Sequence, residues 1–203
     1  MRDLASEFGN IDIYVFDQLL KGRVAARDNV LDAGCGSGRN VFYLLTQGVD
    51  IYGVDSNPVA VQELRDLASE LGRPADDEHF RVEPLDALTF PDNMFDVVIC
   101  SAVLHFARDD THFEAMVGEL WRVTRPGGLF FARLASTIGM ESQVRRIEGR
   151  RFALPDGTER YLVDEPQLMS LLATLGGQLL DPLKTTVVQH QRAMTTWCIR
   201  IHR

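Results

Sequence analysis

Residues 30–40, VLDAGCGSGRN, place glycines at 34, 36 and 38 directly behind a short apolar run. Glycine at this density means that the chain turns sharply or that something approaches its backbone closely, since glycine is otherwise entropically unfavourable in a folded chain. The following NVFYLLTQG (40–48) resumes an apolar rhythm at helical spacing. Strand, glycine loop, helix is an arrangement that presents backbone N–H groups and the positive end of a helix to a bound ligand.

The same alternation continues along the chain. NVLDAG is a first strand and VDIYGVD (49–55) a second, with Val49, Ile51 and Val54 as its apolar members. SNPVAVQELRDLASELG opens a helix with Asn57 as N-cap and Pro58 at the first helical position, and closes it at Gly72. HFRVEPLDALTF holds a short third strand and a loop. MFDVVICSAVLHF is continuously apolar, as a strand buried on both faces should be. A helix follows, with Thr111 and Glu114 as its capping box and Pro126-Gly127-Gly128 as its stop; LFFARLAS is a fifth strand. Ahead of all this, IDIYVFDQLLKGRV (11–24) reads as an amphipathic helix, with Ile11, Tyr14, Val15 and Leu19 on one side. Strand and helix in regular alternation imply a parallel sheet covered on both faces. The rhythm breaks over residues 136–163, which hold five arginines (145, 146, 150, 151 and 160) against four acids. A helix near 164–175 and two strands joined by a hairpin at His190-Gln191 complete the chain.

A chain of 203 residues with 45% hydrophobic and 25% charged residues fits one globular domain. Its net charge of −8 argues against general binding to nucleic acid or to anionic membranes, which need a positive surface. No apolar run approaches the length of a membrane span, and the acidic N-terminus does not read as a secretory signal. Cys35, Cys100 and Cys198 have no metal-like spacing; Cys100 and Cys198 read as buried, inert thiols, and the cytoplasm is the expected compartment.

The ligand class follows from elimination around the glycine loop. A dinucleotide fingerprint would need glycine at 39, which is Arg39, and a Walker loop would need a lysine after the glycines. Asp32 gives D-x-G-x-G-x-G. Asp55 ends the second strand at the ligand-bearing edge, where a carboxylate can accept from vicinal ribose hydroxyls. Asp86 follows the third strand at the same edge, in reach of an adenine N–H. Three carboxylates and no cationic clamp suit an adenosine that lacks phosphates and carries a positive charge.

On these residues the sequence resembles the class I S-adenosylmethionine-dependent methyltransferases. VLDAGCGSGRN is similar to their first motif, IYGVDSNP to their ribose segment, PLDALTFPDNMFDVVICSAVLHF to their adenine loop and fourth strand, and LWRVTRPGGLFFA to their helix, turn and fifth strand. The likeness is close over residues 28–135, and GCGSGRN in a short chain also resembles, more distantly, the tellurite-resistance-type small-molecule branch. The resemblance implies a Rossmann-like doubly wound α/β fold. Its seven-stranded sheet would be parallel except for an antiparallel C-terminal hairpin strand, in order 3-2-1-4-5-7-6. It also implies one domain over 1–203, with an N-terminal helical segment at 1–27 and a substrate-cover insertion at 136–163. S-adenosylmethionine would be the cofactor and S-adenosylhomocysteine the product. The loop from Gly34 through Cys35 and Gly36 to Gly38 would border the methionine part, while Asp32 would organise the loop or reach the amino group through water. Asp55 would hold the ribose, with Ser56 near the adenine. Asp86 and the Ala87 backbone would read the adenine edge, and the Ser101 carbonyl would take the ammonium.

The acceptor is expected to be a small molecule. Sequence elements for adenine or glutamine N-methylation, for cytosine C5 methylation and for metal-dependent O-methylation are missing from residues 101–107 and their surroundings. His105 is the one histidine placed where a general base would sit, and His112 is expected on the surface. Arg145, Arg146 and Arg150 are candidates for recognising an anionic substrate, and Tyr14 for covering the cofactor. The lack of a carboxylate near His105 favours, slightly, a thiol, chalcogenide or amine over an alcohol. Two rival classes remain: a nicotinamide oxidoreductase, disfavoured by Arg39, and a non-catalytic protein that binds the same cofactor or a partner.

Overall fold

The computed structural model describes residues 3–202. Two short helices, α1 (Leu4–Phe8) and α2 (Ile13–Leu20), precede β1 (Asn29–Ala33) and α3 (Phe42–Thr46). β2 (Asp50–Asp55), α4 (Pro58–Glu70), β3 (Phe80–Val82) and β4 (Phe95–Ser101) follow. A 3-10 turn at Leu104–Phe106 leads into α5 (Asp110–Val123) and β5 (Thr124–Ala135). β6 (Arg145–Glu148), β7 (Arg151–Ala153) and β8 (Glu159–Tyr161) then make a separate antiparallel sheet. α6 (Glu165–Leu175), β9 (Gly177–Leu179), β10 (Lys184–Val188) and β11 (Arg192–Ile201) end the described chain.

The main sheet runs β3-β2-β1-β4-β5-β11-β10, parallel up to β5 and antiparallel where β11 joins it. That is the expected order. The sheet has eight strands instead of seven because its sixth is split: β9 pairs with Ile199–Ile201, and β10 pairs with 192–196 of the same strand. Asp181-Pro182 lies in the gap, and a proline has no N–H to give to a ladder. The hairpin turns at Gln189 and His190, both at positive φ, with the Gln191 N–H donating to the Val188 carbonyl.

Side chains alternate across the sheet as strand geometry requires. Leu31, Val98, Cys100, Phe130 and Ala132 face the Trp121, Trp197 and Phe113 side; Val30, Ile51, Val97, Ile99 and Phe131 face Leu45, Leu64 and Phe80. Cys35, Cys100 and Cys198 are buried and unpaired. No described helix is long and apolar enough to cross a membrane.

Several local expectations shift. α2 occupies only the middle of 11–24, because the Asp12 side chain caps it by accepting from the Tyr14 N–H and Gly22, at φ +64°, ends the turn after it. The cap of α5 is Asp109, which accepts from the His112 N–H at 2.8 Å, and not Thr111 with Glu114. A carboxylate at this position also meets the positive end of the helix. Residues 136–163 leave and re-enter the fold at one point, since Ser136 and Val163 form an isolated parallel bridge. Between them the segment is held down by Phe152, Leu154 and Leu162, which pack with Ala135 and Met194. Tyr161 stacks on Phe113 and donates to Asp110.

Candidate functional site

The C-terminal ends of β1, β2 and β4 open onto one cleft of about 520 Å³, where ligands bind in open parallel sheets. Gly34, Asp55 and Ser56 form one wall, Glu83 to Asp86 a second, and Ser101 to Val103 the floor. Of the sequence-derived candidates, the structure thus brings Gly34, Asp55, Ser56, Asp86 and Ser101 together.

The glycine loop folds onto the end of β2. Gly34 and Cys35 both donate to the Val54 carbonyl (2.8 and 3.0 Å), Gly36 donates to Asp55 Oδ2 (3.0 Å) and Gly38 to the Cys35 carbonyl. Asp55 Oδ1 also accepts from the Asn57 N–H, so this carboxylate is oriented before any ligand arrives. Gly34 sits at φ +78°, and a Cβ there would run into the Val103 side chain. The helix after the loop is shorter than the sequence suggests: α3 has five residues and begins at Phe42, with the Val41 and Phe42 N–H groups donating to the Gly38 carbonyl. With the amides of Gly34, Cys35, Gly36 and Gly38 engaged internally, the loop does not present them as the phosphate cradle that glycine-rich nests provide.

Asp32 lies under this loop, fully buried, and neither carboxylate oxygen has a hydrogen-bond donor. Burial pushes its pKa up to about 7; Arg39 opposes the shift and Asp55 adds to it. An acceptor pair of this kind is suited to a cationic group, directly or through water. Loop amides turned inward, an orphaned carboxylate below them and two further acids at the rim fit the amino, ribose and adenine parts of S-adenosylmethionine.

Some candidates lie elsewhere. The Cys35 sulfur packs into the core beside Gly53 and is absent from the cleft wall. Ala87 is exposed, its N–H turned to the Pro84 carbonyl, and it too does not line the cleft. His112 is not a surface residue. Its side chain is 13% exposed and lines the cleft, with Nε2 3.4 Å from Asp86. Tyr14 is directed to Thr186, with its hydroxyl 2.6 Å from Thr186 Oγ1. Glu83, which sequence reasoning missed, is braced by the Thr89 N–H.

A second pocket of about 310 Å³ adjoins the cleft and shares Ala102 with it. Ala102 is at φ +65°, a conformation that side-chain-bearing residues avoid and that is enriched at functional positions. Leu154, Met194 and Val188 give this pocket an apolar side, and Arg39, Arg133, Arg160 and Arg192 give it a cationic one. Arg145, Arg146 and Arg150 are not part of it. Arg146 lies over the Phe152 ring and donates to the Gly149 carbonyl, Arg150 pairs with Asp164 at 2.9 Å, and Arg145 is exposed on β6. Of the five arginines in the insertion, Arg160 is the one in the pocket. His105 lines it as well, buried, with Nδ1 unpartnered. Burial, then Arg160 and Arg192, press its pKa down to about 4, so the imidazole is neutral.

Asp12 joins the two cavities from behind. It is buried, accepts from Arg133 at 2.8 Å and from the Ser101 hydroxyl at 3.4 Å, lies 3.7 Å from Arg39, and its own N–H donates to Asn40. The signal for it was an acid directly ahead of an apolar helix, and for Arg133 a lone charge in an apolar strand. Among the described residues, no group of three or more acids, histidines or cysteines is placed to hold a metal.

Comparison with known proteins gives a consistent picture. A family model described as a methyltransferase domain matches residues 31–132. The chain is 32% identical over 166 residues to a protein of Mycolicibacterium smegmatis described as a probable S-adenosylmethionine-dependent methyltransferase, covering 82% of this chain and 58% of that one. It is 28% identical over 200 residues to the ubiquinone biosynthesis O-methyltransferase of Methylocella silvestris, covering 91% and 73%. The chain spans 42% and 39% of the length of two further curated relatives. Among solved structures, it superposes with a TM-score of 0.70 and 21% identity on the Burkholderia thailandensis 1,6-didemethyltoxoflavin-N1-methyltransferase, solved with bound 1,6-didemethyltoxoflavin and S-adenosylhomocysteine, over 100% of this chain and 82% of that one.

The environment of Asp32 has a measurable consequence. Its raised pKa means that the native state binds more protons than the unfolded chain between about pH 4 and pH 7, so its contribution to stability falls as pH rises through that window. Asp32→Asn carries no charge to bury. Its stability relative to wild type should therefore climb by on the order of 2 kcal/mol between pH 5 and pH 8, read from urea unfolding without ligand. A difference that does not change with pH would mean that Asp32 ionises as an ordinary surface acid does.

Proposed function

The chain belongs to the class I S-adenosylmethionine-dependent methyltransferase family, and from that premise we propose that it transfers a methyl group to a small-molecule acceptor held in the pocket beyond Ala102. The observation that carries this reading is the buried carboxylate of Asp32, without donors, beneath a loop whose amides are engaged internally. A pyrophosphate would need those amides, whereas a cationic amino group needs that carboxylate.

In this reading Asp55, fixed by the Gly36 and Asn57 amides, accepts from the ribose hydroxyls. Asp86, with Ser56 and Leu85 beside it, receives the adenine, and Gly34 and Ser101 border the methionine end, with Asp32 buried beneath the loop. S-adenosylmethionine supplies an activated methyl on its sulfonium, and S-adenosylhomocysteine is the product. What remains for the protein is alignment and exclusion of water, and positioning of this kind can lower a barrier by ~7–11 kcal/mol. Ala102 is the seam across which the two ligands meet, and residues 136–163 cover the acceptor side with the β7–β8 hairpin. The three buried, unpaired cysteines suit a reducing compartment such as the cytoplasm.

His105 does not serve as a base in this scheme. Gaining a proton would put a charge into a buried site facing Arg160 and Arg192, and burial, then those two arginines, already press its pKa down. The acceptor atom is therefore one that arrives deprotonated or needs little proton removal, such as a thiolate, a chalcogenide or a free amine.

Two measurements test this. S-adenosylhomocysteine at ~100 Kd should stabilise the protein by ~2.7 kcal/mol, a rise in Tm of roughly 5–11 °C for a chain of this size; NAD should leave Tm unchanged. A clear shift with NAD and none with either adenosyl ligand would overturn the assignment. Once an acceptor is in hand, His105→Ala should keep activity within about tenfold, since a true general base is worth ~10²–10⁴. A loss beyond a hundredfold with cofactor affinity intact would make His105 the base and point to a protonated oxygen or nitrogen acceptor.

A further inference from the structure

The pocket beyond Ala102 has a charge pattern that the methyl-transfer chemistry does not call for. Of its four arginines, two are answered by Asp12, which Arg133 meets at 2.8 Å and Arg39 at 3.7 Å. The other two have no carboxylate within ion-pair distance among the described residues. Arg160 donates to the Glu159 backbone carbonyl and lies over the Phe106 ring at 4.9 Å, and Arg192 stands at the first position of β11. The one acid in the lining, Asp156, is tied back by the Thr158 amide and hydroxyl at 2.9 and 2.6 Å. It feels both arginines only at longer range.

Arg160, from β8, and Arg192, from the start of β11, therefore both line one small cavity, and their charges reach His105 and Asp156 in its wall. The same cavity is lined by Leu154, Val188, Met194 and Ala135, a surface for a hydrocarbon body, with Val188 directly across the β10–β11 ladder from Arg192. Like-charged groups placed together at a cavity favour an anion between them, and the planar fork of arginine matches a carboxylate with two parallel hydrogen bonds. The apolar wall separates an organic acid from a free inorganic anion, which would have no use for it. His105 carries the same imprint, since the field of Arg160 and Arg192 reaches it and disfavours a further cation there.

We propose that the acceptor is a small organic acid whose carboxylate is held between Arg160 and Arg192, with its apolar part against Leu154 and Met194. This rests on the pocket being the acceptor site of a methyltransferase. It replaces Arg145, Arg146 and Arg150 with residues that the sheet β6-β7-β8 and the final hairpin bring to the cavity.

The test uses the full-length chain saturated with S-adenosylhomocysteine and titrated, by calorimetry and ligand-observed NMR, with hexanoate and phenylacetate. Their primary amides serve as neutral counterparts, and inorganic phosphate as a third arm. The carboxylates should bind and the amides should not. The double variant Arg160→Gln/Arg192→Gln should weaken carboxylate binding by roughly tenfold to a hundredfold, with Tm and S-adenosylhomocysteine affinity unchanged. Amides that bind as tightly as the acids, carboxylates that fail to bind, or a variant that binds them like wild type would each overturn the proposal. Phosphate that binds more tightly than either acid would overturn it in favour of a phosphorylated ligand. Failure of S-adenosylhomocysteine itself to bind would instead remove the methyltransferase reading, and the same titrations without it would still decide what the arginines hold.

Discussion

The loop after β1 is closed by the end of β2. Two amides on the Val54 carbonyl and one on Asp55 fix residues 34 to 36 without help from any ligand, and most of the site follows from that attachment. It keeps the loop flat against the sheet, so that Val103 can pack where a Cβ on Gly34 would stand. The same attachment sets the Asp55 carboxylate at the rim, and it leaves Asp32 below with nothing to accept from. Electrostatically the loop thus differs from a phosphate-binding turn: the amides of Gly34, Cys35, Gly36 and Gly38 are engaged within the protein, and the Asp32 carboxylate is left without a donor. In the proposed reading, the direction of a few N–H bonds suits this fold to a cationic adenosine derivative and not to a dinucleotide.

Asp12 plays the corresponding part for the second cavity. One buried carboxylate reaches the start of α2, Arg39 at the end of the glycine loop, the end of β4 and the end of β5. An isolated ion in this position would be strongly unfavourable, and it persists because Arg133, Ser101 and the Tyr14 amide supply donors. By pairing with Arg133 and lying close to Arg39, Asp12 offsets one of the two rear charges, while Arg160 and Arg192 at the front have no such partner among the described residues. The cofactor cleft and the arginine pocket thus hold opposite charges within one sheet edge, separated by Ala102. Such a division is what the proposed pairing of a cationic donor with an anionic acceptor would require.

How far the sequence was readable depended on which geometry decided each residue. Asp55 and Asp86 were legible because strand ends in a parallel sheet must share one edge, whatever the side chains do there. The strand order was legible for a similar reason, apart from the break at Pro182. Cys35 was not, because a place in a loop motif does not say which way a side chain turns, and this one turns into the core beside Gly53. The arginines failed differently. Residues 145–161 form strands of three and four residues with a register shift near Arg146, and such short ladders leave no periodicity from which to tell inward from outward. His112 followed the cap: with Asp109 as N-cap, its side chain turns to the cleft and not to solvent. Asp12 belongs to no motif, and only the meeting of four distant segments gives it meaning.

The central claim is that this sheet edge receives an adenosine with a positively charged tail. A crystal structure of the chain with S-adenosylhomocysteine tests it most directly. The account predicts the ribose hydroxyls on Asp55, the adenine between Ser56 and Asp86, and the amino group above Gly34 toward Asp32, with the pocket beyond Ala102 left clear. Adenosine density anywhere else, or an amino group directed away from Asp32, would contradict it.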